Sequence, residues 1–160
     1  MKRAPVLRAA TPDDAKAVAA LYAEFAAYLR SLDGGDEYYF DERAYLRDGF
    51  GPGAAFQAIV AEQDGEIAGY LLWHAGYDSD LARRTLRIAD LFVRPAARRA
   101  GIGRALMDEA ERICRKFGGV ELVWEVFAPN ELARRFYAAV GARHVDDLLI
   151  MKRRIGDRIG

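Results

Sequence analysis

Apolar residues recur at helical spacing in the first third of the chain. Val, Leu, Tyr, Phe and Leu residues lie three or four positions apart between 18 and 29, which predicts a helix from about 11 to 30. Thr11 and Pro12, with an acidic residue three positions after the threonine, are typical of a helix start. A shorter helix is predicted from 41 to about 48, closed by a glycine.

Alternating or continuous apolar runs predict strands in the rest of the chain. Residues 58–62 and 66–73 flank an Asp-Gly pair, which favours a tight turn and predicts a β-hairpin. Other strands are predicted over 6–10, 85–93, 120–127 and 148–151. Helices are predicted between Gly103 and Gly118 and from 131 to 140. The order β-α-α-β-β-β-α-β-α-β indicates one mixed α/β domain over residues 1–160.

Composition excludes several classes of function. The 160 residues are 52% hydrophobic and carry 24 basic and 24 acidic side chains, so there is no overall positive field for nucleic acid. The single cysteine, Cys114, allows no internal disulfide, fits a reducing compartment and lies on the apolar face of its helix. We expect a cytoplasmic protein that binds neither nucleic acid nor membrane, because no signal-like or spanning apolar run is visible.

Glycines and arginines meet in the turn that joins strand 85–93 to the next helix. The sequence there is Arg98-Arg99-Ala100-Gly101-Ile102-Gly103-Arg104. Glycine lets backbone N–H groups approach an anion, and the first N–H groups of a helix have no partner within it. Such glycine pairs are also common as plain loop residues. The turn is neither a P-loop nor a dinucleotide-binding fingerprint, since Leu106 replaces the third small residue.

Two motifs resemble the GNAT superfamily of acetyl-CoA-dependent N-acetyltransferases. They are Arg98-x-x-Gly101-x-Gly103, directly after a strand, and Asn130 followed by Phe136-Tyr137-x-x-x-Gly141. Within the superfamily, the sequence most resembles the spermidine/spermine (diamine) acetyltransferase branch. The segments that carry this resemblance are Asp48-Gly49-Phe50-Gly51, Tyr77-Asp78, Asp90-x-Phe92-Val93 and Phe136-Tyr137-Ala138-Ala139-Val140-Gly141-Ala142. The resemblance implies a single-domain α/β (mixed α+β) fold. Its central sheet would be mixed, mostly antiparallel, with about six or seven strands flanked by about four helices.

The resemblance also implies acetyl-CoA as acetyl donor, without a metal. The residues that it places at the cofactor are Leu91, Phe92, Val93, Arg98, Arg99, Ala100, Gly101, Ile102, Gly103, Arg104 and Asn130. Tyr137 becomes the candidate general acid for the departing thiolate, the alternative being a packed tyrosine whose hydroxyl reaches water. Asn130 is equally a candidate helix cap. The branch further implies a homodimer, for which the apolar run 148–151 offers a strand.

The general base departs from the pattern of the branch. Ala89 stands where a glutamate is typical, and on an alternating strand Asp90 would point to the opposite face from Ala89. Glu125 on the next strand and His74 remain candidates. A water chain, or an amine that arrives neutral, is the alternative.

Acidic residues suggest a cationic acceptor. Asp36 and Glu37 lie beside tyrosines, and Asp78 stands at a position that contacts polyamine in the similar branch. We therefore predict an N-acetyltransferase that acts by direct attack of a small primary amine, such as a polyamine, diamine or amino-acid-like amine. The alternatives are a transferase for protein N-termini or lysines, and a non-catalytic acetyl-CoA sensor.

Overall fold

Residues 3–156 are described by the computed structural model, and their elements follow the predicted order up to the last strand. The strands are β1 Val6–Ala9, β2 Gln57–Gln63, β3 Glu66–Asp78, β4 Arg83–Val93 and β5 Gly119–Val123. The helices are α1 Ala15–Ser31, α2 Glu42–Gly49, α3 Ile102–Lys116 and α4 Glu131–Ala139. Single 3-10 turns, Pro12–Asp14 and Pro95–Ala97, precede α1 and α3.

The strands form one mixed, mostly antiparallel sheet in the order β1-β2-β3-β4-β5, in which only β4 and β5 run parallel. This confirms the predicted fold class, but the described residues contain five strands, not six or seven. The predicted strand 148–151 makes no ladder, and its side chains are 62–85% exposed. An apolar run needs a backbone partner to become a strand, and no described segment pairs with it.

The start of α1 is fixed by the residues that predicted it. Asp14 accepts a hydrogen bond of 2.7 Å from the Thr11 N–H, and Arg8 donates two bonds of 2.8 Å to the same carboxylate. Asp14 is buried, and the Arg8 guanidinium holds the pKa of its carboxyl below the ordinary value. The capping signal and an ion pair to Arg8 on β1 therefore set the same boundary.

Each face of the sheet carries its own apolar cluster. The first packs β2–β4 against α3 around Leu71, Leu86 and Leu106, and it contains the buried Cys114, as predicted. The second packs the opposite face against α1 and α2 around Tyr45 and Tyr70. Strands β2, β3 and β4 lie between the two clusters, and each contributes side chains to both.

A β-bulge interrupts β4 at Ala89. Trp73 pairs with Ile88 and Leu72 pairs with Asp90, so Ala89 is the extra residue. Ile88 packs in the first cluster, whereas Asp90, two residues later, bonds to Tyr70 on the other face. The expectation that Asp90 faces away from Ala89 assumed unbroken alternation, which the bulge removes at this point.

Candidate active site

A cavity of about 350 Å³ lies between the end of β4, the first turn of α3, α4 and the middle of α1. Its lining contains every predicted cofactor residue except Ala100, and it also contains Tyr137. The lining residues are Phe25, Tyr28, Leu91, Phe92, Val93, Arg98, Arg99, Gly101, Ile102, Gly103, Arg104, Asn130, Leu132, Ala133, Phe136 and Tyr137.

A row of backbone donors forms one end of this cavity. The first hydrogen bond within α3 runs from the Ala105 N–H to the Gly101 carbonyl at 2.9 Å. Among residues 3–156, none of the six N–H groups from 99 to 104 donates a hydrogen bond. Arg99 and Gly101 have φ angles of 64° and 80°, which curve the row into a concave nest. Such a nest at a helix N-terminus is suited to an anion such as pyrophosphate.

The neighbouring arginines are held in different ways. Arg98 Nε donates to the Val93 carbonyl at 2.9 Å, and its guanidinium lies 5.6 Å from the centre of the Phe92 ring. Arg104 donates to the Ala139 carbonyl at 3.1 Å and so ties α3 to α4. Arg99 is exposed and forms no ion pair within the described range, so its charge is available to a ligand.

Gly103 allows the first turn of α3 to pack closely against α4. A Cβ atom at Gly103 would lie 3.0 Å from two carbons of the Phe136 ring. This close approach sets the first turn of α3 directly against α4 and leaves the N–H groups uncovered. The fit supports a pyrophosphate cradle here, because a larger residue would separate the helices and fill the donor row.

One edge of β4 is open beside the donor row. β5 pairs only with β4 residues 84–87, so the segment 88–93 is hydrogen-bonded to β3 alone within the described part of the sheet. The chain leaves the β5 strand after Val123, whereas a strand to 127 was predicted. The unpaired edge offers N–H and C=O groups to an extended, amide-containing ligand.

Asn130 closes the opposite wall. Its buried Oδ1 accepts hydrogen bonds from the Ala133 N–H at 3.1 Å and from the Tyr28 hydroxyl at 3.3 Å. The predicted capping role is therefore confirmed, and the side chain also borders the cavity. Its contact with a cofactor remains a prediction.

Tyr137 lies half-buried at the end of the cavity. Its ring contacts Trp124 and Phe136, with centroids 4.9 and 5.3 Å away. Burial, together with the charge of Asp90, raises the pKa of the Tyr137 hydroxyl above its ordinary value. The group therefore stays protonated at neutral pH, and no described residue accepts its hydrogen bond.

Asp90 is a second titratable group close to the cavity, although it is not one of the lining residues. The Tyr70 hydroxyl donates to its Oδ2 atom, and the Leu91 N–H donates to the same carboxyl. Burial is the stronger influence and raises the pKa of Asp90 to about 7. Burial and the same carboxylate raise the pKa of Tyr22 to about 12. The alternation of the strand did not identify Asp90 as a base candidate, because its face depends on the register between β3 and β4.

Like Asp90, the other base candidates are not among the residues that line the cavity. Glu125 forms a 3.0 Å ion pair with Arg87, and both side chains are largely exposed. The exposed His74 has its Nδ1 atom 3.1 Å from the Ala75 carbonyl oxygen. Tyr137 lines the cavity, whereas Glu125 and His74 do not.

The three acidic residues predicted to bind substrate are also outside the lining. Asp78 Oδ1 accepts a 2.9 Å bond from the Leu81 N–H and closes the β3–β4 turn. Glu37 accepts a 2.7 Å bond from Arg154. The carboxylate of Asp36 lies 3.9 Å from Arg30 and is almost fully exposed.

Five lining residues are absent from the predicted site: Phe25, Tyr28, Leu132, Ala133 and Phe136. Phe25 and Tyr28 come from α1, where the helical pattern places Phe25 on the core stripe. The bond from Tyr28 to Asn130 spans 102 positions in sequence, so no local signal could have identified it.

Neither a metal site nor a membrane-spanning helix is found among the described residues. Within residues 3–156, no group of His, Cys, Asp and Glu side chains is arranged to hold a metal ion. None of the helices in that range has the length and apolar character needed to cross a membrane.

Comparisons with known proteins agree on one family. The model of the Acetyltransferase (GNAT) family matches residues 18–142. Thialysine N-epsilon-acetyltransferase of Bos taurus is 27% identical over 150 residues, covering 89% of this chain and 86% of its own length. L-ornithine N5-acetyltransferase of Arabidopsis thaliana is 34% identical over 77 residues, which are 48% of this chain and about a third (34%) of that protein. A mutant of the BH1408 protein of Bacillus halodurans has a TM-score of 0.78 at 21% identity, over 94% of this chain and 99% of its own.

Proposed function

The chain belongs to the acetyltransferase (GNAT) family and is an acyltransferase, and from that premise we propose that it transfers the acetyl group of acetyl-CoA to a primary amine of a small molecule. The observation that carries the proposal is the junction of three features in one cavity. These are the unpartnered N–H row at 99–104, the open edge of β4 and the protonated Tyr137.

Each feature has one role in the proposed reaction. Bound acetyl-CoA supplies an acyl group activated as a thioester. The N–H row and Arg99 hold the pyrophosphate, and the open edge at 91–93 bonds the amides of the pantetheine arm. Asn130 borders the same path. Tyr137 donates its proton to the sulfur as the amine attacks the acyl carbon directly.

The acceptor is proposed to be an amino-acid-like amine, a diamine or a polyamine. Support comes from the two relatives, whose names give an amino group of ornithine and of thialysine as the acetylated atom. The diamine branch is proposed on the motifs that resemble it. Asp36, Glu37 and Asp78 are proposed to guide the cationic acceptor from the surface, since all three lie outside the cavity lining.

Three further properties are proposed. Residues 1–160 form one domain, and the chain acts in the cytoplasm, as the lone cysteine suggests. The protein is proposed to be a homodimer, because the apolar run 148–151 is exposed. Light scattering that shows only a monomer at micromolar concentration would contradict the dimer.

The test is release of thiol from acetyl-CoA by the full chain with a panel of acceptors. The panel contains ornithine, thialysine, spermidine, a short diamine, and peptides with a free N-terminus or a lysine. We expect saturable release with at least one small amine and formation of the N-acetyl product by mass spectrometry. Faster turnover of the peptides would favour a protein acetyltransferase, and binding of acetyl-CoA without turnover of any acceptor would favour a sensor.

A further inference from the structure

Building on the proposed acetyl transfer, we propose that Asp90 takes the proton from the acceptor ammonium, and that the bulge at Ala89 gives its carboxylate the position needed to do so. The absent glutamate at position 89 is then replaced by the next residue along the strand. Three features support this role: the register of β4, the groups around Asp90 and the lack of a cation beside it.

The register decides which face Asp90 occupies. Without the bulge, Asp90 would share a face with Ile88, in the cluster packed against α3. The extra residue turns it to the face of Tyr70 and Phe92, beneath α1. Phe92 itself borders the cavity, so Asp90 lies two residues from the cofactor path.

Three tyrosines from three elements surround the carboxyl. Tyr70 of β3 donates a hydrogen bond to the Asp90 carboxyl. The charge of Asp90 also contributes to the raised pKa values of Tyr22 on α1 and Tyr137 on α4. Tyr22 in turn interacts with Tyr38 and Arg30, which lie on and before the α1–α2 connection. Asp90 therefore lies within electrostatic range of both the proposed proton donor and Tyr22 on α1.

Asp90 has no countercharge of its own. Within residues 3–156 no Lys, Arg or His forms an ion pair with it, although the chain is rich in arginine ion pairs elsewhere. A desolvated carboxylate without a cation is costly, which is why its pKa is raised. An incoming ammonium supplies the missing charge, and the half-buried position of the residue leaves it accessible to a small molecule.

The proposed proton and bond changes balance. One N–H bond of the ammonium breaks and its proton moves to Asp90. The neutral amine then forms the C–N bond, the C–S bond breaks with its electron pair on sulfur, and sulfur takes the Tyr137 proton. A second N–H proton returns to the Tyr137 oxygen, and Asp90 releases its own proton to solvent, so one proton leaves for each acetyl group transferred.

The first test compares two acceptors over a range of pH. We expect kcat/KM of the wild type with a basic alkylamine to fall below about pH 7, where Asp90 is protonated. Asp90→Asn should lower kcat with the alkylamine by about 100-fold and remove the break near pH 7, so that kcat/KM keeps rising with pH as the amine itself loses its proton. With a hydrazide, which is already neutral at pH 7, the variant should stay within about threefold of the wild type. The matched control is Asp64→Asn, in the β2–β3 turn.

The outcomes separate the two proposals. If the wild type turns over no acceptor, the proposed function fails and Asp90 has no such role. If the wild type is active but Asp90→Asn lowers turnover of both acceptors equally, or keeps the break near pH 7, then Asp90 is structural and the present inference is overturned.

A second test needs no turnover. Infrared titration of the free protein should show a protonated carboxyl band that disappears near pH 7 and is absent from Asp90→Asn. Tyr70→Phe removes a bond that stabilises the carboxylate, so the band and the break in kcat/KM should both move to higher pH. A wild type without such a band, or a Tyr70→Phe protein whose break stays in place, would contradict the proposal.

Discussion

Helices α3 and α4 begin at the rim of the same cavity, but their first turns are built in opposite ways. α4 is capped by Asn130, whose Oδ1 accepts the Ala133 N–H. α3 begins after Gly101 in a left-handed conformation, without a side-chain cap, and leaves its first N–H groups unpartnered. A helix that forgoes a cap loses about 1 kcal/mol, which a bound anion can restore.

The difference indicates a division of labour. The uncapped helix presents its backbone and is suited to hold a ligand, whereas the capped helix presents side chains, among them Tyr137. Changes in α3 should therefore alter binding, and changes in α4 should alter the rate of chemistry or the stability. The four predictions below test this separation.

The largest effect is expected for Tyr137→Phe. Loss of the proton donor should lower kcat by about 100-fold or more and change the Kd for acetyl-CoA by less than about threefold. Because burial raises the pKa of Tyr137, the wild type should keep its kcat up to about pH 10, where an exposed tyrosine begins to ionise. Steady-state kinetics and calorimetry measure the two quantities, with the exposed Tyr77→Phe as control. A rise in Kd equal to the loss in kcat would remove the distinction between the helices.

Gly103→Glu should be next in size. A carboxylate in the first turn of α3 would satisfy the free N–H groups itself and repel a pyrophosphate. We expect the Kd for acetyl-CoA to rise by about 30-fold, with kcat at saturation little changed. Gly103→Gln brings a side chain of the same size against Phe136 without the charge, and it should bind several times more tightly than the glutamate variant. Equal affinities would show that the clash alone matters.

Asn130→Ala should act on stability. The variant loses the cap of α4 and the acceptor for the Tyr28 hydroxyl, so the free energy of unfolding should fall by about 1 to 2 kcal/mol in urea titrations. Asn130→Asp retains an acceptor oxygen and should keep most of that stability. A destabilised aspartate variant would mean that the cap contributes little.

The smallest effect is expected for Arg99→Gln. The side chain is exposed, so we expect only about a threefold rise in the Kd for acetyl-CoA at low salt. The effect should vanish near 1 M salt, where charges are screened over about 3 Å. Arg43→Gln, on the exposed surface of α2, is the control. An effect that persists in high salt would indicate a buried contact instead.

The helix starts and turns that are determined by a few neighbouring residues were predictable from the sequence. The threonine and acid at 11 and 14, the Asp-Gly turn and the glycines after β4 each specify backbone geometry within a few residues. The family resemblance placed eleven residues at the cofactor, and all of them except Ala100 line the cavity.

Features that depend on distant partners were not predictable. The bulge at Ala89 exists only in the register between β3 and β4, and it reverses the face of Asp90. The run 148–151 has strand-like composition but no strand to pair with among the described residues. Tyr28 reaches the site only because α1 lies across the end of α4.

The open edge of β4 also has a consequence for the folded state in the cell. An apolar strand with free N–H and C=O groups is a template for pairing with other chains. A pantetheine arm lying along 88–93 would cover this open edge in the way that a neighbouring strand would. At acetyl-CoA concentrations about 100 times the Kd, the native state would gain about 2.7 kcal/mol. We therefore expect the solubility of the protein to follow the supply of its acetyl donor, so that starvation for acetyl-CoA promotes aggregation as well as inactivity.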